Sequence, residues 1–90
     1  MRFRLSIQVQ QKIEHYHRYN PELVQKIKKQ LKIFSLNRLH PSLRTHKLSG
    51  KLSDSWSISI DRSMRMLYTL LPDGVAYFYL IGTHDEVYRK

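Results

Sequence analysis

His84 and Tyr88 stand four residues apart, just beyond an apolar run, Val75-Ala-Tyr-Phe-Tyr-Leu-Ile-Gly82, that is long enough for a buried strand. An imidazole gives or takes a proton near neutral pH, and a phenol beside it stacks on a base or donates a proton. The glycine before them lets the backbone turn and present both at the rim of a sheet. Arg65 lies in Met64-Arg-Met-Leu-Tyr-Thr-Leu-Leu71, where almost every neighbour is apolar or aromatic. A guanidinium leaves water at high cost unless it is paired. Arg65 is therefore either held in an ion pair, with Asp61 and Asp85 as candidates, or lines a pocket for an anion. His40, Arg44 and His46 form a second basic cluster, while His15 and His17 fall on a helical segment and read as surface residues.

Histidine, arginine and tyrosine on a basic scaffold suit one reaction well. RNA carries its own nucleophile, the 2′-hydroxyl. A catalyst must remove that proton, stabilise the extra charge at phosphorus and protonate the leaving 5′-oxygen. Other chemistries lack their signatures: the sequence has no HExxH spacing, no glycine-rich phosphate loop and no GxSxG elbow, so neither a metal nor another cofactor is expected. With no cysteine, disulfides and thiolate chemistry are excluded.

The elements that must position these residues follow from periodicity. Phe3, Leu5 and Ile7 alternate with polar neighbours and predict a short N-terminal strand. Val9, Ile13 and Tyr16 recur at helical spacing, and Asn20-Pro21-Glu22 ends one helix and starts another. Leu23, Ile27, Leu31 and Phe34, with Val24 beside them, then predict a helix from Pro21 to about Leu36, with Lys26, Lys28, Lys29 and Lys32 on its remaining surface. After a loop broken at His40-Pro41 the period becomes two. Strands are predicted over Lys47–Ser53, Trp56–Ile60 and Met64–Leu71, and Pro72-Asp73-Gly74 turns the chain into the last one. Helices first and hairpins later predict a single α+β domain over residues 1–90, with a helical hairpin packed against a four-stranded antiparallel meander.

Sixteen Lys and Arg against seven Asp and Glu give a net charge of +9 and point to an anionic partner. The charge is uneven: residues 1–45 hold ten Lys/Arg against two Glu, and residues 46–90 six against five acidic residues. Most of it therefore lies away in sequence from His84. The helix lysines serve a polyanionic partner, an acidic protein segment, or simply a solvated face. No stretch approaches the roughly 20 apolar residues that span a bilayer, and the first residues lack the apolar core of a signal peptide. A cytoplasmic protein with no membrane partner is expected.

The succession His40-Pro-Ser-Leu-Arg-Thr-His46-Lys-Leu-Ser-Gly50, then Trp56, then Met64-Arg65-Met-Leu-Tyr68, then Ile81-Gly-Thr-His84-Asp-Glu-Val-Tyr88 resembles the RelE/ParE superfamily of bacterial toxins, in particular its RelE and YafQ branch. The resemblance spans nearly the whole chain. It implies a type II toxin that cleaves mRNA on the ribosome without a metal and is held inactive by a cognate antitoxin, meeting operator DNA only through that antitoxin. It further implies catalytic roles for His84, His46, Arg65 and Tyr88, with Arg65 on the scissile phosphate, and RNA contacts from Arg44, Lys47, Lys51, Trp56 and Arg62. The match is incomplete where RelE places lysines, since Ser57 and Ser59 stand there. That difference leaves open a weakened or lost nuclease, a ParE-type gyrase inhibitor, or a degenerate toxin acting as co-repressor with its antitoxin.

Overall fold

The computed structural model of the protein describes residues 1–88. A three-residue strand, β1 (Phe3–Leu5), leads into two helices, α1 (Ile7–Tyr19) and α2 (Pro21–Leu36), joined by Asn20 alone. Local chemistry sets these limits. The Ser6 hydroxyl accepts the Val9 N–H at 3.1 Å and caps α1. Asn20 closes one helix and opens the next: its N–H donates to the Tyr16 carbonyl and its side chain accepts from the Leu23 N–H. Pro21 fills the first helical position, where no N–H is needed. Leu23, Val24, Ile27, Leu31 and Phe34 are all buried, as their spacing predicts. Ile7 departs from expectation. The Ser6 cap ends the strand early, so Ile7 opens α1 and stays 68% exposed.

A 3-10 turn over Pro41–Leu43 leads to β2 (His46–Lys47), a second such turn over Gly50–Leu52, then β3 (Ser55–Ser59), β4 (Met64–Leu70), β5 (Ala76–Thr83) and a one-turn helix, α3 (His84–Tyr88). The sheet has five strands in the order β1-β5-β4-β3-β2. The expected antiparallel meander runs from β2 to β5, and β1 completes a mixed sheet by pairing parallel to β5. One face carries Ile58, Met66, Tyr68, Phe78 and Ile81, which join Val9, Ile27 and Phe34 in the core. Phe34 meets Phe3, Tyr68 and Phe78 edge-on, at centroid distances of 6.4, 5.0 and 5.2 Å. Gly74, at φ 83°, makes the tight β4–β5 turn.

Two elements differ from the sequence expectation. The strand predicted over Lys47–Ser53 is cut to His46–Lys47, because Gly50 adopts φ 66° and takes the chain off the sheet into a turn. The last strand does not stop at Gly82. That residue pairs with Arg65, β5 runs on to Thr83, and only then does the chain coil into α3.

Candidate active site on the outer face of the sheet

Directly opposed residues of antiparallel strands share a face, with Cβ atoms about 5 Å apart. The register therefore places two rows on the face turned away from the core: His46, Ser57 and Leu67, and beside them Ser59, Arg65 and Gly82. The helix α3 packs over this face against β4 and β5. Leu67 and Val87 are fully buried yet stand apart from the main core cluster, which fits a small apolar seat beneath α3. At the end of α3 the Tyr88 hydroxyl donates to Ser57 Oγ at 2.6 Å. The His84 ring, one turn earlier, lies edge-on to Tyr88 with centroids 4.5 Å apart.

His46, Ser57, Tyr88 and His84 thus form one continuous string across the sheet. The His84 side chain is 66% exposed, and its Nδ1 lies 3.7 Å from a carboxylate oxygen of the exposed Asp85. At such exposure this pair contributes little. His46 is also exposed, at the sheet edge, with its Nδ1 3.5 Å from the Arg44 carbonyl.

Arg65 answers the question its sequence posed. Neither Asp61 nor Asp85 pairs with it through a carboxylate. Its Nη1 instead donates to the backbone carbonyls of Asp61 (2.8 Å), Met64 (3.1 Å) and Arg62 (3.3 Å). Carbonyl dipoles fix the group without cancelling its charge. The Asp61 carboxylate is occupied elsewhere: it accepts the Ser63 and Met64 N–H groups at 2.9 and 2.8 Å and meets Lys26 Nζ at 3.4 Å. Partial burial pushes the Asp61 carboxyl up, but these N–H donors and Lys26 outweigh it and hold the group below its ordinary value.

Arg65 opens into a cleft of about 400 Å³ lined also by Ser42, Arg44, Ser59, Asp61 and Arg62. Among the described residues no carboxylate lies within ion-pair distance of these three arginines. Arg44 stands in the left-handed region at φ 47°, an uncommon backbone for a side chain of this size. The His84 N–H donates to the Ser63 carbonyl at 3.2 Å, which ties the start of α3 to the turn that borders the cleft.

The structure thus brings His46, Arg65, His84 and Tyr88 to one face and sets Arg44 and Arg62 beside Arg65. It does not gather the rest. Trp56 points to the core side, stacked on Tyr68 at 5.7 Å, and Lys47 reaches over its ring at 5.3 Å. Lys51 lies exposed in the Gly50–Leu52 turn. Other residues take part through contacts that the sequence did not indicate. Ser57 is the partner of Tyr88, and His40 caps the Pro41–Leu43 turn by accepting the Ser42 N–H at 3.1 Å. Gln30, buried inside the apolar stripe of α2, donates to the carbonyls of Ser59 and Ser42 at 3.0 and 3.3 Å, joining the two sides of the cleft. Its place three residues after Ile27 and four before Phe34, on the apolar stripe, was the signal available for it.

A helical hairpin packed on one face of this five-stranded mixed sheet is a RelE-like α+β fold. Among solved structures the chain is similar to a YoeB/ParE toxin from Agrobacterium tumefaciens, at 17% identity and a TM-score of 0.77 over 93% of this chain and 99% of that one. It is similar to YafQ from E. coli strain BL21(DE3), at 16% identity and a TM-score of 0.77 over 98% and 99% of the two chains. It is also similar to a heterotetrameric YoeB–YefM toxin–antitoxin complex from Staphylococcus aureus, at 23% identity and a TM-score of 0.74 over 93% and 99%. No protein-family model matches the sequence, and no curated protein does.

Proposed function

We propose that this protein is the toxin of a type II toxin–antitoxin pair and an endoribonuclease that cleaves mRNA on the ribosome. The observation that carries the reading is the gathering of His46, Arg65, His84 and Tyr88 on one open face of a toxin-like fold. Both imidazoles are exposed, so a polymer laid across the sheet reaches them. One takes the proton of the ribose 2′-hydroxyl. The 2′-oxygen bonds to phosphorus, Arg65 bears the charge gathered on the phosphoryl oxygens, and the P–O5′ bond breaks as the second imidazole protonates the leaving oxygen. The products are a 2′,3′-cyclic phosphate and a 5′-hydroxyl. Tyr88 flanks His84 and offers a face for a base to stack on. Arg44 and Arg62 steady the flanking strand as charge-assisted phosphate donors.

Cleavage of a translated messenger by purified protein and ribosomes tests this. His84→Ala is expected to lower the rate about 10²–10⁴-fold. Arg65→Ala is expected to lower it about 10²–10³-fold. Equal cleavage by wild type and both variants removes these residues from the site.

The antitoxin partner is read by analogy with the YoeB–YefM pair, with the cytoplasm as the place of action. Co-expression with the protein encoded beside it is expected to restore growth. A second reading, a non-catalytic toxin or co-repressor on the same fold, draws on β3, where buried Ser57 and Ser59 supply hydroxyls and no charge. Growth arrest with DNA-damage signalling and intact messengers would favour the non-catalytic toxin, and expression without growth arrest the co-repressor.

A further inference from the structure

His84 and Tyr88 both ride on α3, yet an isolated helix of five residues has almost no stability of its own. Glu86 holds it together. Its Oε1 accepts the Thr83 N–H at 2.7 Å, while the Glu86 N–H donates back to Thr83 Oγ1 at 3.3 Å, a reciprocal cap encoded by Thr-x-x-Glu. This closure needs space that a side chain would fill. A Cβ on Gly82 would stand 2.9 Å from Glu86 Oε1 and 3.0 Å from its Cβ. Gly82 thus contributes a bare backbone against which the carboxylate seats, rather than a turn. The Thr83 N–H bond keeps the Glu86 carboxyl below its ordinary range against partial burial, with Lys12 of α1 adding to the effect. Beyond the cap, Val87 is buried and Tyr88 reaches Ser57. Before it, the His84 N–H is fastened to the Ser63 carbonyl. The histidine–tyrosine geometry thus depends on where the single turn between those anchors is pinned.

We propose that Glu86 is a positioning residue for the candidate site: seated on Gly82 and closed onto Thr83, it fixes α3 so that His84 stands against Tyr88 on the outer face. In its effect on cleavage the proposal rests on the nuclease reading, whereas its effect on ring geometry does not. Two measurements on the full chain separate the two. In NMR spectra the His84 ring protons are expected to carry a ring-current shift from Tyr88, whose ring centroid lies 4.5 Å away. Glu86→Ala is expected to move them towards free-histidine values with the core resonances unchanged, and Glu86→Gln, whose amide oxygen still accepts the Thr83 N–H, is expected to retain them. Gly82→Ala, which takes the seat but leaves Glu86, is expected to act like Glu86→Ala and carries the test if that variant fails to fold. In the ribosome assay Glu86→Ala is expected to lower kcat about 10²-fold with KM little changed, and Glu86→Gln to recover most of the rate. Wild-type ring shifts in Glu86→Ala, or equal damage in Glu86→Gln, would overturn the proposal. If the wild type itself leaves RNA intact, the nuclease reading falls and the ring shifts still decide the role of Glu86.

Discussion

The helical hairpin and the C-terminal turn use the same local devices for opposite ends. In α1 and α2, Ser6 and Asn20 cap the helices, and spacings of three and four drive Leu23, Ile27, Leu31 and Phe34 into a common core. In α3, Thr83 and Glu86 form the cap, and a spacing of four sets His84 against Tyr88 over an open face. The difference lies in what covers each element. The hairpin stripe is sealed by the inner face of the sheet, so its residues contribute stability. Among the described residues nothing covers the outer side of the α3 pair, and His84 stands exposed there with Tyr88 half-buried beside it. Damage to the first region should therefore cost stability, and damage to the second should cost chemistry.

The largest expected effect comes from Phe34. It is fully buried and surrounded by three other aromatic rings. Phe34→Ala is expected to destabilise the fold by about 3–5 kcal/mol, measured by urea unfolding, while cleavage per folded molecule stays near wild type. A variant that kept its stability but lost cleavage as steeply as His84→Ala would break the division between the two regions.

Gln30 tests the seam between them. It sits in the hairpin stripe but bonds the carbonyls of Ser42 and Ser59 on either side of the arginine cleft. Gln30→Ala leaves both carbonyls without that donor, and a loss of about 1–3 kcal/mol is expected in urea. Unlike Phe34→Ala it should also weaken RNA binding and flatten its dependence on salt, as the arginines lose their common frame. An unchanged salt slope would show that the cleft keeps its shape without the amide.

These contrasts also show what could be read from the chain. The hairpin was legible almost to the residue, Pro21–Leu36 included, because caps and apolar spacing are local and repeat over several turns. The meander followed from alternation alone. Gly50 was not read as the end of β2, since a glycine in the left-handed region looks the same in sequence as any other. The Ser57–Tyr88 bond spans 31 positions, and no local pattern encodes it. The role of Gly82 was misread for a different reason: what matters is the side chain that folds back over it, four residues on. Arg65 was recognised as needing a partner, but backbone carbonyls were its solution rather than a carboxylate. Side-chain chemistry was visible; the backbone atoms that answer it were not.

The smallest expected effect concerns the contact that ties the hairpin to the rim of the arginine cleft. Lys26 of α2 meets the Asp61 carboxylate in the β3–β4 turn at 3.4 Å, and the same carboxylate gathers two N–H groups of that turn. With its folded pKa held below the ordinary 3.8, Asp61 contributes stability above that value and loses it as pH falls through the lower one. Asp61→Asn keeps an oxygen for the N–H groups but discards the charge. Its deficit in unfolding free energy is expected to be about 1 kcal/mol or less at neutral pH. That deficit should shrink as the pH falls past the ordinary value and through the lower folded one, where the wild-type carboxylate also becomes neutral. Lys26→Gln should reproduce only part of it, since the N–H bonds survive that change. A deficit constant across the acid range would mean that turn geometry, not charge, joins the hairpin to the rim of the cleft.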